Sequence, residues 1–128
     1  MALEIRGNLE EPVHYLEKEV RFSFSKCDTQ KYCIQKLEKD ELRRFYQTLG
    51  YLEKHTWKQT RGLPREKGIS LETKNGNIFE LLKPKMDDCS TFGHFRVDGT
   101  SVNMRIFIGL NKDLAFILLI DREGELQH

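Results

Sequence analysis

The segment HFRVDGTSVNMRIFIGL, residues 94–110, sets one imidazole and two guanidinium groups into an apolar hairpin. Hydrophobic and polar residues alternate on both sides of an Asp-Gly pair, the pattern of two half-buried strands joined by a turn. If the loop holds an even number of residues, even positions on the first arm share a face with odd positions on the second. His94, Arg96, Arg105 and Phe107 then fall on one face, and Phe95, Val97, Val102, Met104, Ile106 and Ile108 on the other. The aliphatic face must be the core, so the cationic face is expected to point outward, away from the helices. Guanidinium groups bind phosphate through forked, charge-assisted hydrogen bonds, and an exposed aromatic beside them offers a surface for a base. The alternative is that both arginines only solubilise the open face of a sheet.

A second cluster lies in EKHTWKQTRGLPREK, residues 53–67, where Lys54, Lys58, Arg61, Arg65 and Lys67 stand against Glu53 and Glu66. It offers further phosphate contacts, or else a solvated helix end whose dipole favours positive charge. Trp57 within it reads as a core or boundary residue. His128 ends the chain. Set beside a central strand, its imidazole would suit proton transfer near neutrality; otherwise it belongs to a frayed terminus. Asp121 would orient a neighbouring Arg or His, or simply close its strand. There is no Gly-rich phosphate loop, no zinc-ligand spacing and no nucleophile elbow. Asp87 and Asp88 lack the further carboxylates of a two-metal site. The chemistry expected is metal-free and cofactor-free.

The elements that must position these groups follow from periodicity. Glu19 to Cys27 alternates as a half-buried strand. Asp28-Thr29 offers a cap, and from Gln30 to about Gln59 apolar residues recur at three- and four-residue steps. A short helix and a longer one capped by Asp40 are expected, folded as a hairpin. Asn75-Gly76 signals a turn and Ile78 to Leu82 a short strand; Lys83 to Phe92 reads as a loop. Leu114 to Ile120 is apolar on both faces and should be a central strand, joined to the hairpin by a turn at Asn111-Lys112-Asp113. The class is α+β, an antiparallel sheet of about four to five strands with an N-terminal strand and the helical hairpin on one face.

A chain of 128 residues is one domain's worth, here with an N-terminal extension over about residues 1–18. With 38% hydrophobic and 32% charged residues it should be globular with a charged exterior. The 21 basic and 20 acidic residues leave a net charge of +1, so nothing pulls the whole molecule toward nucleic acid. No apolar run approaches the roughly 20 residues of a membrane span. The acid-bearing N-terminus lacks a signal core, and three unpatterned cysteines read as reduced thiols, so a cytoplasmic protein without membrane contact is expected.

The order of elements, with NGNIFEL, then HFRV followed by MRIFIG, then AFILLID, resembles the RelE/ParE superfamily of bacterial toxins over roughly residues 19–128. In that family a turn and an "lyEL" strand precede two Arg-bearing strands and an apolar one. The resemblance implies a toxin of a bacterial toxin–antitoxin pair, held by a cognate antitoxin protein. It further implies a metal-free endoribonuclease that cuts messenger RNA on the ribosome by attack of the 2′-hydroxyl. On that reading Arg105, Arg96 and His128 are the catalytic groups, and His94, Phe107, Lys54, Lys58 and Arg61 bind substrate. The chain departs from the family in being nearly neutral, in its N-terminal extension and 83–92 insert, and in the distance of His128 from the last strand. A non-catalytic module of the same fold, docking protein or RNA on its outer sheet face, is the alternative.

Overall fold

A computed structural model describes residues 15–64, 66–72, 76–97 and 104–126. The chain runs through β1 (Arg21–Ser23), α1 (Lys39–Glu53), α2 (Trp57–Arg61), β2 (Ser70–Glu72), α3 (Gly76–Leu82), β3 (Thr91–Arg96), β4 (Arg105–Asn111) and β5 (Leu114–Asp121). The strands form one sheet in the order β1-β5-β4-β3-β2. The α+β class holds, with β5 central as expected, but the sheet is mixed rather than antiparallel. β1 runs parallel to β5, with Arg21 opposite Leu114, whereas every other neighbouring pair is antiparallel. Alternation in the sequence sets which face of a strand is buried, not its direction. Here the direction of β1 follows from the long helical crossover that separates it from the rest of the sheet.

On one face, Phe45, Leu49 and Leu52 of α1 and Trp57 of α2 join Phe95, Ile106, Ile108, Ile117 and Ile120 of the sheet in one cluster. The four- and three-residue steps of α1 place its three apolar residues on a single stripe. Its N-cap is Glu38, not the expected Asp40, and Glu41 accepts from the Glu38 N–H at 2.8 Å. The expected long helix breaks after Glu53 because Thr56 caps a new one. The Gln59 N–H donates to Thr56 Oγ1 at 3.1 Å, and the Thr56 N–H donates to Gln59 Oε1 at 2.9 Å. Trp57 is a core residue whose indole N–H donates to the Asp113 carbonyl at 3.0 Å. The short helix expected after Asp28 is only a 3-10 turn at Ile34–Lys36. Burial raises the pKa of the Asp28 carboxyl, but hydrogen bonds from the Tyr32, Lys31 and Gln30 N–H groups outweigh it and hold the group below its ordinary range.

The second face is covered as well. Residues 78–82 are not the expected strand but most of α3, which begins at Gly76 with φ 87°. In GNIFELL the apolar residues at 78, 79 and 82 fit either period over so short a span, and the buried pair Ile78 and Leu82 is spaced by one helical turn. These two, with Met86 and Cys89, cap Phe92, Phe107, Leu118 and Leu119. A register shift between Phe107 and Ile108 leaves Leu118 as the extra residue of β5, which puts Leu118 and Leu119 in the same cluster. Gly109 is needed under this cover, since a Cβ there would lie 2.7 Å from Cys89 Sγ.

Leu82 has no exposed surface, whereas its neighbour Leu81 is 44% exposed. Leu82→Ala should therefore cost about 2–5 kcal/mol in urea unfolding, and Leu81→Ala no more than about 0.5 kcal/mol. Equal costs would show that α3 does not cover the sheet.

Candidate functional site

Arg96 ends β3, Arg105 begins β4, and the two are register partners. Residues opposed across an antiparallel pair share a face, so the two arginine side chains start from the same face at one end of the sheet. The parity of the sequence thus holds. Asp121 continues the row on β5, opposite Arg105. It is fully buried, its carboxylate accepts from the Glu125 and Leu126 N–H groups at 3.1 and 2.9 Å, and among the described residues no hydrogen bond or ion pair joins it to either arginine. Among the described residues neither guanidinium has an acidic partner, and Arg105 Nε is buried without an acceptor. Facing like charges destabilise a strand pair, and an unsatisfied buried donor costs about 1–3 kcal/mol. An anion at this end of the sheet would relieve both.

Arg96 also borders a groove of about 190 Å³. Arg44, Gln47, Thr48 and Tyr51 form its α1 wall, and Glu66 and Lys67 lie across from them. The four α1 residues are spaced i, i+3, i+4 and i+7, a polar face beside the apolar stripe. Arg44 Nε donates to Asp40 at 3.0 Å, and hydrogen bonds from Arg44 and then Arg43 hold the Asp40 carboxyl below its ordinary range. Thr48 Oγ1 donates to the Arg44 carbonyl at 2.9 Å. The Tyr51 ring rests on His55, centroids 4.8 Å apart, and His55 Nδ1 lies 2.8 Å from the Tyr51 carbonyl oxygen.

The other expected site residues do not join this end as binding groups. His94 and Phe107 are register partners on the face of the arginines, their rings 5.8 Å apart, but that face lies under α3. Phe107 is completely buried and His94 is 7% exposed, its Nδ1 hydrogen-bonded to the Glu72 carboxylate. The expectation that they present an outer surface is corrected: His94 ties β2 to β3 and Phe107 is core. Lys54, Lys58 and Arg61 are exposed, as expected, at the end of α1 and on α2. Trp57 fastens α2 to the β4–β5 turn, and Arg61 lines a crevice with Ile69 and Leu110. Arg105 stands at the other end of β4, about 20 Å of strand away, so α2 and the arginine pair do not converge. His128, Val102, Arg65 and residues 1–14 of the N-terminal extension lie outside the described residues. Sequence reasoning missed the α1 wall of the groove, although the spacing of Arg44, Thr48 and Tyr51 was there to be read.

A second cavity, of about 230 Å³, is lined in part by Lys31, Lys36, Asp121 and Arg122. Its strongest cation is already committed. Arg122 Nε donates to Glu41 at 2.7 Å, and Glu38 and Glu123 lie 3.5 and 3.3 Å from its other nitrogens. This clamp fastens the start of α1 to the end of β5. The hydrogen bond to Glu41 raises the pKa of Arg122, and the same bond holds the Glu41 carboxyl below its ordinary value of 4.5.

No family model matches the sequence, and no curated protein or solved structure matches it either. Among the described residues no helix is long and apolar enough to cross a membrane.

Because the Glu41 pKa is depressed on folding, its contribution is fully present above the ordinary value of 4.5 and is lost as pH falls below that value. Arg122→Gln should lower the urea midpoint at pH 7 and flatten the further fall on acidification. Midpoints measured from pH 7 to pH 3 check this; parallel curves for the two proteins would exclude the clamp.

Proposed function

We propose that the protein is a non-catalytic module that binds RNA, gripping a phosphate of the chain between Arg96 and Arg105. The observation that carries this reading is the register-paired arginines, which have no acidic partner among the described residues, one with a buried Nε that lacks an acceptor there. Forked guanidinium donors match phosphate oxygens in geometry and charge. The burial of His94 and Phe107 beneath α3 supports holding over cutting, since the imidazole on this face is engaged by Glu72.

One observation favours a second reading, a RelE/ParE-like toxin acting as a metal-free endoribonuclease on messenger RNA and neutralised by an antitoxin. The Asp121 carboxylate turns the tail back at Glu125 and Leu126, so the chain leading to His128 sets out from the arginine end of the sheet. In this reading Arg105 and Arg96 stabilise the charge that develops on the phosphate. His128 protonates the departing 5′-oxygen.

Fluorescence anisotropy with a labelled single-stranded RNA, repeated over a salt series, tests the binding reading. Affinity should fall steeply with salt. Arg96→Ala and Arg105→Ala, each with an unchanged circular dichroism spectrum, should weaken binding about tenfold and reduce the log–log salt slope by about 0.7. Binding that ignores both substitutions would overturn the proposal. Induced expression in a bacterial host separates the second reading. Growth arrest with fragmented messenger RNA, relieved by Arg105→Ala or His128→Ala, supports the toxin; normal growth with folded, soluble protein removes it.

A further inference from the structure

We propose that the groove between α1 and residues 66–67 is a nucleoside subsite, which takes the base and sugar of a nucleotide whose phosphate sits at the arginine pair. The inference rests on the phosphate reading of Arg96 and Arg105 and adds the chemistry of what is attached to that phosphate. Arg96 belongs to both features, closing one end of the groove and standing opposite Arg105 across the strands. Arg105 does not line the groove, which α1 walls on the face opposite α3, so Arg96, at the very end of β3, is the residue that would link a phosphate there to a group in the groove. At about 190 Å³ the groove lies below the roughly 300 Å³ at which drug-sized pockets begin, a scale that suits one nucleoside.

The lining supplies what a nucleoside needs. Tyr51 is 39% exposed and backed by the His55 ring, so its orientation is set before a ligand arrives. The His55 ring is tilted 55° to it, and an exposed aromatic ring of this kind accepts any base, because every base has a π-face. Gln47 carries an amide, donor and acceptor at once, able to pair with a base edge. Glu66 is an acceptor suited to sugar hydroxyls. Arg44, tied to Asp40 through Nε, holds positive charge in the α1 wall. This combination of one aromatic, one amide, one acid and flanking arginines fits a nucleoside phosphate better than an apolar ligand or a bare anion. The same chemistry reaches the site either as a free mononucleotide or as one residue of an RNA strand.

Calorimetric titration of the full chain with inorganic phosphate, adenosine, AMP and a trinucleotide decides among these. AMP should bind at least about tenfold more tightly than phosphate, the scale of one stacking contact. Tyr51→Ala should erase that advantage and leave phosphate affinity unchanged, and Tyr51→Phe should keep it. A trinucleotide that binds more than about tenfold tighter than AMP assigns the site to RNA; equal affinities assign it to the free nucleotide. Equal affinity for AMP and phosphate, or indifference to Tyr51→Ala, overturns the subsite. Adenosine binding that depends on Tyr51, with no gain from phosphate and none lost in Arg96→Ala, overturns the arginine reading and leaves the groove standing.

Discussion

A strand that is apolar on both faces must be covered twice, and β5 is that strand. Ala115, Ile117 and Ile120 face the cluster built with α1 and α2, while the bulge at Leu118 turns Leu118 and Leu119 toward α3. Each Ile or Leu among them withdrawn from water contributes about 1.5–3 kcal/mol. That surface explains why α3 exists. A helix of 7 residues is far too short to persist alone, and it is held because Ile78 and Leu82 complete the second core. The edges of β5 are likewise occupied, by β4 on one side and β1 on the other.

The apolar sheet stops at a polar row, Arg96, Arg105 and Asp121, on three successive strands. The simplest use of the buried carboxylate would be to neutralise Arg105. It instead accepts from two backbone N–H groups of the tail, those of Glu125 and Leu126. The arginines are left opposite each other with no ion pair to any of the described residues. This is a local energetic cost tolerated within a fold that is elsewhere well satisfied, and such costs concentrate where a ligand repays them.

Much of this arrangement was legible in the residues themselves. The even-odd switch across residues 94–110 sorted the two faces correctly because strand parity is a local geometric rule. The apolar run of β5 gave its central place, and of the two places open to Trp57, core or boundary, the structure shows the core. What covers each face was not legible, because GNIFELL satisfies a strand and a short helix alike until the surface beneath it is known. From sequence alone the arginine face therefore reads as an open one, and the imidazole on it as a binding group. The direction of β1 and the strand Ser70–Glu72 escaped for a related reason, since three-residue strands are defined by their partners. The groove joins α1 to residues 66–67, and contacts between distant segments leave no periodic trace.

Near-neutral composition bears less on nucleic-acid binding than it first suggests. At physiological ionic strength charges interact over about 8 Å, less than half the about 20 Å of strand that separates Arg105 from the β4–β5 turn. The field at the arginine end is set by the groups within that radius. There the row offers two guanidinium groups and one carboxylate already engaged by backbone donors. Several of the acids lie in clamps of their own, Asp40 with Arg43 and Arg44, Glu41 with Arg122, Asp88 with Lys26. A net charge of +1 averages over these separate neighbourhoods. What a phosphate at β3 and β4 would meet is the local sum, and in the described residues of this row two guanidinium groups stand against one carboxylate.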